Sequence, residues 1–91
     1  MHIRYRSEPP RFDGANLLMR FVAEVDGAPL DCAITAEALE DHFGADSARE
    51  EPLRNAFARG LARIHAACTE AIAQTHGAVV LHSGYFRAED D

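Results

Sequence analysis

Lysine is absent from this 91-residue chain, so all nine basic side chains are arginine, set against fifteen carboxylates for a net charge of −6. A polycationic protein is thereby excluded. The charge is also uneven: residues 1–20 carry four arginines and two acids, residues 21–51 carry nine acids against Arg49 alone, and residues 52–91 hold four of each. An acidic middle third repels polyphosphate and no basic stripe offsets it, so no nucleic-acid partner is expected. Arg4, Arg6 and Arg11 read as solvated arginines beside a strand. Long apolar runs are missing too. The longest, Gly77 to Leu81, has five residues, against about 20 for a bilayer span. Met1 to Arg6 has no apolar core of the kind a secretory signal needs. No membrane partner and a cytoplasmic location are the resulting expectations.

Cysteine is nearly absent as well. Cys32 and Cys68 lie 36 residues apart with no Cys-x-x-Cys pair, and each falls at an apolar-phase position of an expected element. Buried, reduced thiols are the expectation, because a disulfide would need oxidising surroundings. The rival reading is a metal site: His65 and Cys68 stand at i and i+3 on one helix, Cys32 faces the same core, and His82 approaches from the last strand. Thiolate and imidazole donors of that kind suit tetrahedral zinc. Without a short paired spacing, packing is favoured, and neither metal nor cofactor is expected. A thiol nucleophile is opposed by strand alternation. Asp31 and Cys32 point to opposite sheet faces, and desolvation holds a core thiol protonated. There is no phosphate-cradling loop and no serine-centred elbow. Glu37, Glu40, Asp41, His42 and Asp46 read as a solvated acidic face or an electrostatic partner surface. No catalytic residue emerges.

What is present is a foldable amphipathic pattern. With 47% apolar and 26% charged residues, the chain reads as one domain over 1–91 with 88–91 a frayed acidic tail. Ile3 and Tyr5 alternate with polar neighbours as a short edge strand, Ser7 to Arg11 is a connector, and Asp13 to Asn16 a turn. Leu17 to Val25 is the best strand, with Met19, Phe21, Ala23 and Val25 on one face. Asp26-Gly27 supplies a hairpin turn into a second strand whose Leu30, Cys32 and Ile34 face the core. Thr35 caps a short helix over 36–43 that Gly44 ends. Ser47 to Glu50 has a capping-box pattern, and Pro52 opens the main helix, which runs to His76-Gly77 with Leu53, Phe57, Leu61, Ile64, Cys68, Ile72 and Thr75 as its inward stripe. Residues 78–82 form a further strand, after which Tyr85 and Phe86 fold back on the sheet edge. The fold class is α+β: a mainly antiparallel sheet of three to five strands covered on one face by a short and a long helix.

The outer face of the main helix is uncharged at Ala58, Ala62, Ala66, Thr69 and Ala73. Such a stripe permits close approach of a second helix, hence a homodimer. The seventeen alanines of the chain are equally explained by helix propensity and by a guanine- and cytosine-rich genome.

Phe21-Val22-Ala23 with Gly27, Asp31 to Ile34, Glu37 to Phe43, Phe57, Arg63-Ile64 and Val79-x-Leu81, preceded by Ile3, Phe12 and Asp13, resemble a family of small bacterial proteins, domain of unknown function 1488, over nearly the whole chain. The resemblance implies a small single-domain α+β fold of Gram-negative bacteria and supplies no catalytic residue. Gly60-Leu61-Ala62 departs from the more polar pattern of that family's helix. The functional expectation is a non-enzymatic interaction module, binding an unidentified protein partner or itself. The alternative is a metal or small-ligand binder using Cys32, His65 and Cys68.

Overall fold

The computed structural model describes residues 1–86; the expected acidic tail at 88–91 lies outside them. Five strands form one sheet: β1 (Ile3–Tyr5), β2 (Arg11–Asp13), β3 (Leu18–Val25), β4 (Ala28–Thr35) and β5 (Val79–Leu81). The β3–β4 hairpin is its centre. Asp26 and Gly27 both take positive φ, 52° and 87°, as a two-residue turn matched to the strand twist requires, and Val25 pairs with Ala28 directly across it. On the far edge of β3, β1 pairs with residues 23–25 and β2 with residues 18–20. Strand β2 was not expected; at three residues it has too little alternation to be read. Strand β5 pairs with β4 in parallel. A parallel neighbour demands a crossover, and the helices α1 (Ala36–His42), α2 (Glu50–Arg59) and α3 (Leu61–Thr75) supply it, so the α+β class holds.

Helix α1 starts as anticipated, with Thr35 Oγ1 accepting from the Ala38 N–H at 3.1 Å. It ends with Leu39 O accepting from Phe43 and Ala45 while Gly44 sits at φ 77°. The next three expectations are corrected. No capping box forms: α2 begins at Glu50 after Arg49, without a side-chain cap, and Pro52 occupies the third helical position, where an N–H has no helical acceptor to lose. The expected single long helix is broken in two at Gly60. A Cβ there would lie 2.1 Å from Cδ1 of Phe43, so the Phe43 ring takes the space a side chain would fill. The bend turns Leu61 out to 41% exposure and leaves Thr75 exposed, while Ile64, Ala67, Cys68, Ala71 and Ile72 face the sheet. At the C-terminus the helix ends where expected, with His76 at φ 58° in the left-handed position.

Tyr85 and Phe86 do not fold onto the sheet edge. They lie in a 3₁₀ turn, Ser83–Phe86, and the fully buried Phe86 ring meets Phe43 edge-on at 5.1 Å. The core therefore runs from Met19, Ala23, Cys32 and Ile34 on the sheet through Leu39, Leu53, Phe57, Ile64 and Ile72 to Phe86. No helix among the described residues is long and apolar enough to cross a membrane.

Candidate functional site

The residues proposed for a metal separate into one pair and two strays. Cys32 on β4 and Cys68 on α3 are 2% and 0% exposed, and their sulfurs stand 3.3 Å apart. The hydrogen bond between them raises the Cys32 thiol, helped by burial, and lowers that of Cys68. His65 turns away from the sulfurs and stacks on Tyr5 at 4.0 Å and 7° between planes, and its half-burial lowers its pKa. His82 is exposed beyond β5. No group of three or more His, Cys, Asp or Glu side chains able to hold a metal occurs among the described residues. Ala58, Ala62, Ala66, Thr69 and Ala73 are all exposed, but the bend at Gly60 places Ala58 on a different helix from the other four.

Two members of the acidic face are more than solvated. Ser83 Oγ donates to Asp41 Oδ2 at 2.5 Å, and His42 Nε2 lies 2.9 Å from the Ser83 carbonyl and 3.2 Å from its hydroxyl. Serine, histidine and aspartate thus meet, in the wrong order for nucleophilic catalysis. A triad needs the aspartate to orient the histidine and the histidine to take the serine proton; here the serine hydroxyl donates its hydrogen bond to the aspartate instead, and the serine is 5% exposed. The cluster is a clasp that fixes the 3₁₀ turn to α1. Around it Arg63 lies over the Phe43 ring at 4.7 Å, and Arg59 donates to the carbonyls of Phe43 and Gly44, each at 3.1 Å, covering the negative end of α1.

The concavity with chemical capacity lies at the opposite edge. Between β1 and β2 the chain leaves the sheet, so five connector residues span only Phe21 and Val22 of β3. Asp26 N–H donates to His2 and Leu17 O accepts from Ala36, so even-numbered β3 residues direct their backbone groups toward β1 and β2, odd-numbered ones toward β4. Val22 accordingly directs its backbone groups toward this edge, next to the last β1 pair, Tyr5 with Ala23. The gap opens into a groove of about 410 Å³. Its floor is aromatic: Phe21 sits edge-on to Phe57 at 5.4 Å and beside Tyr5 and His65 at 6.3 and 6.2 Å. The phenol of Tyr5, pushed up by burial, is anchored to His65 O at 3.1 Å and Thr69 Oγ1 at 2.8 Å.

Four arginines rim this groove. Arg6 pairs with Glu24 at 3.2 Å and Glu8 at 3.6 Å. Arg54 holds Glu50 and the Pro10 carbonyl, both at 2.6 Å, which pins the connector to α2. Arg20 pairs with Asp13 at 2.8 Å. Arg11 stands directly opposite Arg20 in the strand register and has no ion-pair partner among the described residues. Like charges facing one another across two strands are unfavourable, and the Asp13 carboxylate pairs with Arg20. In the sequence, the only sign of this site was the Arg4, Arg6, Arg11 cluster; Arg20, Arg54, Phe21 and Phe57 join it through tertiary structure alone.

Residues 3–81 match the model of the family described as Protein of unknown function (DUF1488). No curated protein matches the chain. Among solved structures, a protein of unknown function from the same family in Shewanella loihica PV-4 superposes with a TM-score of 0.73 at 23% identity, over 87% of this chain and 90% of that one, a likeness of fold. With the match spanning most of its length, the chain belongs to the DUF1488 family.

Proposed function

We propose that the protein is a non-enzymatic binding module whose working surface is the groove at the β3 edge, and that it holds a small organic carboxylate with a flat apolar body. The observation that carries this is the Arg11–Arg20 pair facing across β2 and β3, with Asp13 bonded to Arg20 and no carboxylate on Arg11 among the described residues, beside an aromatic floor. A carboxylate accepts well from facing guanidinium groups, and an aryl body covers Phe21 and the outward Leu61. The volume lies in the range of small-molecule sites. A binding role is further supported by the floor's titratable groups: Tyr5 is tied to α3, and His65 is stacked and held neutral by burial.

A ligand of about 13 non-hydrogen atoms at roughly 0.4 kcal/mol per atom binds with a dissociation constant of about 0.2 mM. Titration of the ¹⁵N-labelled protein with 2-naphthoate is expected to saturate in that range and to move the amides of Phe21, Val22 and Arg11. The matched alcohol, 2-naphthalenemethanol, is expected to bind at least fivefold more weakly. Equal binding of acid and alcohol, or shifts centred away from the β3 edge, defeats the proposal. Light scattering across a concentration series, with and without naphthoate, separates this reading from self-association: a dimer that the acid dissociates assigns the groove to a second copy.

A further inference from the structure

We propose that Cys32 and Cys68 form a modification site at which a peroxide closes one intramolecular disulfide, stapling β4 to α3. Their sulfurs, 3.3 Å apart, are nearer than unbonded sulfur atoms need to be in a core with freedom to repack. They must close by roughly 1.3 Å to reach a disulfide bond of about 2.05 Å. The two residues belong to the two layers of the fold. Cys32 sits on the central hairpin, and Cys68 is the residue that α3 sets against it from the helical layer. Each is the other's polar neighbour in an apolar setting, so an electrophile that reaches one sulfur meets the second within bonding reach. Tyr5, from the three-residue edge strand β1, lies over the same stretch of α3, its hydroxyl bonded to the His65 carbonyl and to Thr69 Oγ1. Either sulfur can attack first and the other resolve, with Cys68 attacking as one of two equivalent orders.

The chemistry closes with hydrogen peroxide as the sole co-reactant. The Cys68 thiolate attacks one peroxide oxygen, the O–O bond breaks, and the departing oxygen leaves as water once protonated, giving a sulfenic acid. The Cys32 sulfur then attacks Sγ of Cys68. The S–S bond forms, the S–O bond breaks, and hydroxide leaves with the Cys32 proton as a second water. Two thiols lose two electrons and two hydrogens; one peroxide becomes two waters. Burial of both sulfurs makes the first step slow and limited to small oxidants, because opening of the edge strand must precede it.

The test uses the full-length protein, reduced and then exposed to hydrogen peroxide under native conditions at neutral pH. It is read by intact mass after denaturation in iodoacetamide. The expected product is a monomer two hydrogens lighter than the reduced chain that takes up no iodoacetamide. Dithiothreitol should restore two alkylatable thiols, and the oxidised form should melt roughly 10 °C higher. Products that gain oxygen without losing two hydrogens, disulfide-linked dimers on a non-reducing gel, or two thiols that persist through prolonged exposure overturn the proposal. A crosslink that lowers the melting temperature overturns it as well, since a bond between native neighbours restricts the unfolded chain without straining the folded one.

Discussion

Both ends of the molecule gather charged and aromatic side chains, yet the two clusters differ in what they leave over. At the clasp, Asp41, His42 and Ser83 saturate one another, while Arg59 and Arg63 cover the carbonyl end of α1 and the Phe43 ring. At the groove, the Arg11 guanidinium has no ion-pair partner among the described residues, and aromatic side chains line the concavity beside it. The contrast shows that residue types alone do not mark a site. A serine, a histidine and an aspartate in contact form a structural clasp when each donor already has its acceptor. Arginines near a strand edge keep donors to offer a ligand when donors outnumber acceptors.

The largest effect is expected from breaking the clasp end. Gly60→Ala places a methyl group against Phe43. Alanine gains up to about 1 kcal/mol of helix propensity over glycine, but a buried ring must be displaced, along with its contact to Phe86. Overpacking of this severity outweighs the gain, for a net loss of about 3 kcal/mol in urea unfolding. A neutral or stabilised variant would mean that Phe43 does not hold the bend. Ser83→Ala removes the hydroxyl that bonds Asp41 and contacts His42. Because the exposed Asp41 recovers water, the expected loss is about 1–2 kcal/mol, with naphthoate binding at the other end unchanged. A loss of binding in Ser83→Ala would erase the distinction between the two regions.

The halves of the molecule were unequally legible from the sequence. The hairpin, its Asp26-Gly27 turn and the Thr35 cap were readable because alternation, turn chemistry and capping all act within a few residues. The bend at Gly60 was not, because an apolar stripe of roughly 100° absorbs a change of helix direction without losing its period. Only the distant Phe43 reveals why glycine stands there. Strand β2 is too short to show a period. Both thiols were placed in the core, but their contact depends on how α3 packs across the sheet. The clasp was hidden for a similar reason: Ser83 lies about 40 residues from Asp41 and His42, and nothing local ties a carboxylate on a short helix to a turn after the last strand.

The groove makes the opposite prediction to the clasp. Arg11→Ala removes a side chain that no other described group needs, so stability is expected to stay within about 0.5 kcal/mol. Relief of the cross-strand repulsion with Arg20 acts in the stabilising direction within that range. Naphthoate affinity, by contrast, is expected to fall about tenfold, near 1.4 kcal/mol. Calorimetry beside urea unfolding checks both halves. A destabilised Arg11→Ala protein would show the arginine to be structural, like Arg59 at the clasp.

Asp13 competes with the proposed ligand for Arg20, one of the arginines on the groove's rim. The amide of Asn16, and next the guanidinium of Arg20, hold its carboxyl at about 2, against an ordinary 3.8. A carboxyl lowered by folding contributes stability above its unfolded pKa and loses it as the pH falls through the folded value. The contribution is therefore present at neutral pH and disappears between about pH 4 and pH 2. Asp13→Asn is expected to flatten the acid limb of the stability curve across that window and leave the rest of the curve in place. At pH 7 the same substitution frees Arg20 beside Arg11, so naphthoate binding is expected to tighten about threefold. Because a bound carboxylate titrates near pH 4 itself, the affinity must be measured at neutral pH, where only the protein's side of the competition changes. Weaker binding in Asp13→Asn would mean that Asp13 positions Arg20 for the ligand; tighter binding would mean that it occupies the ligand's place.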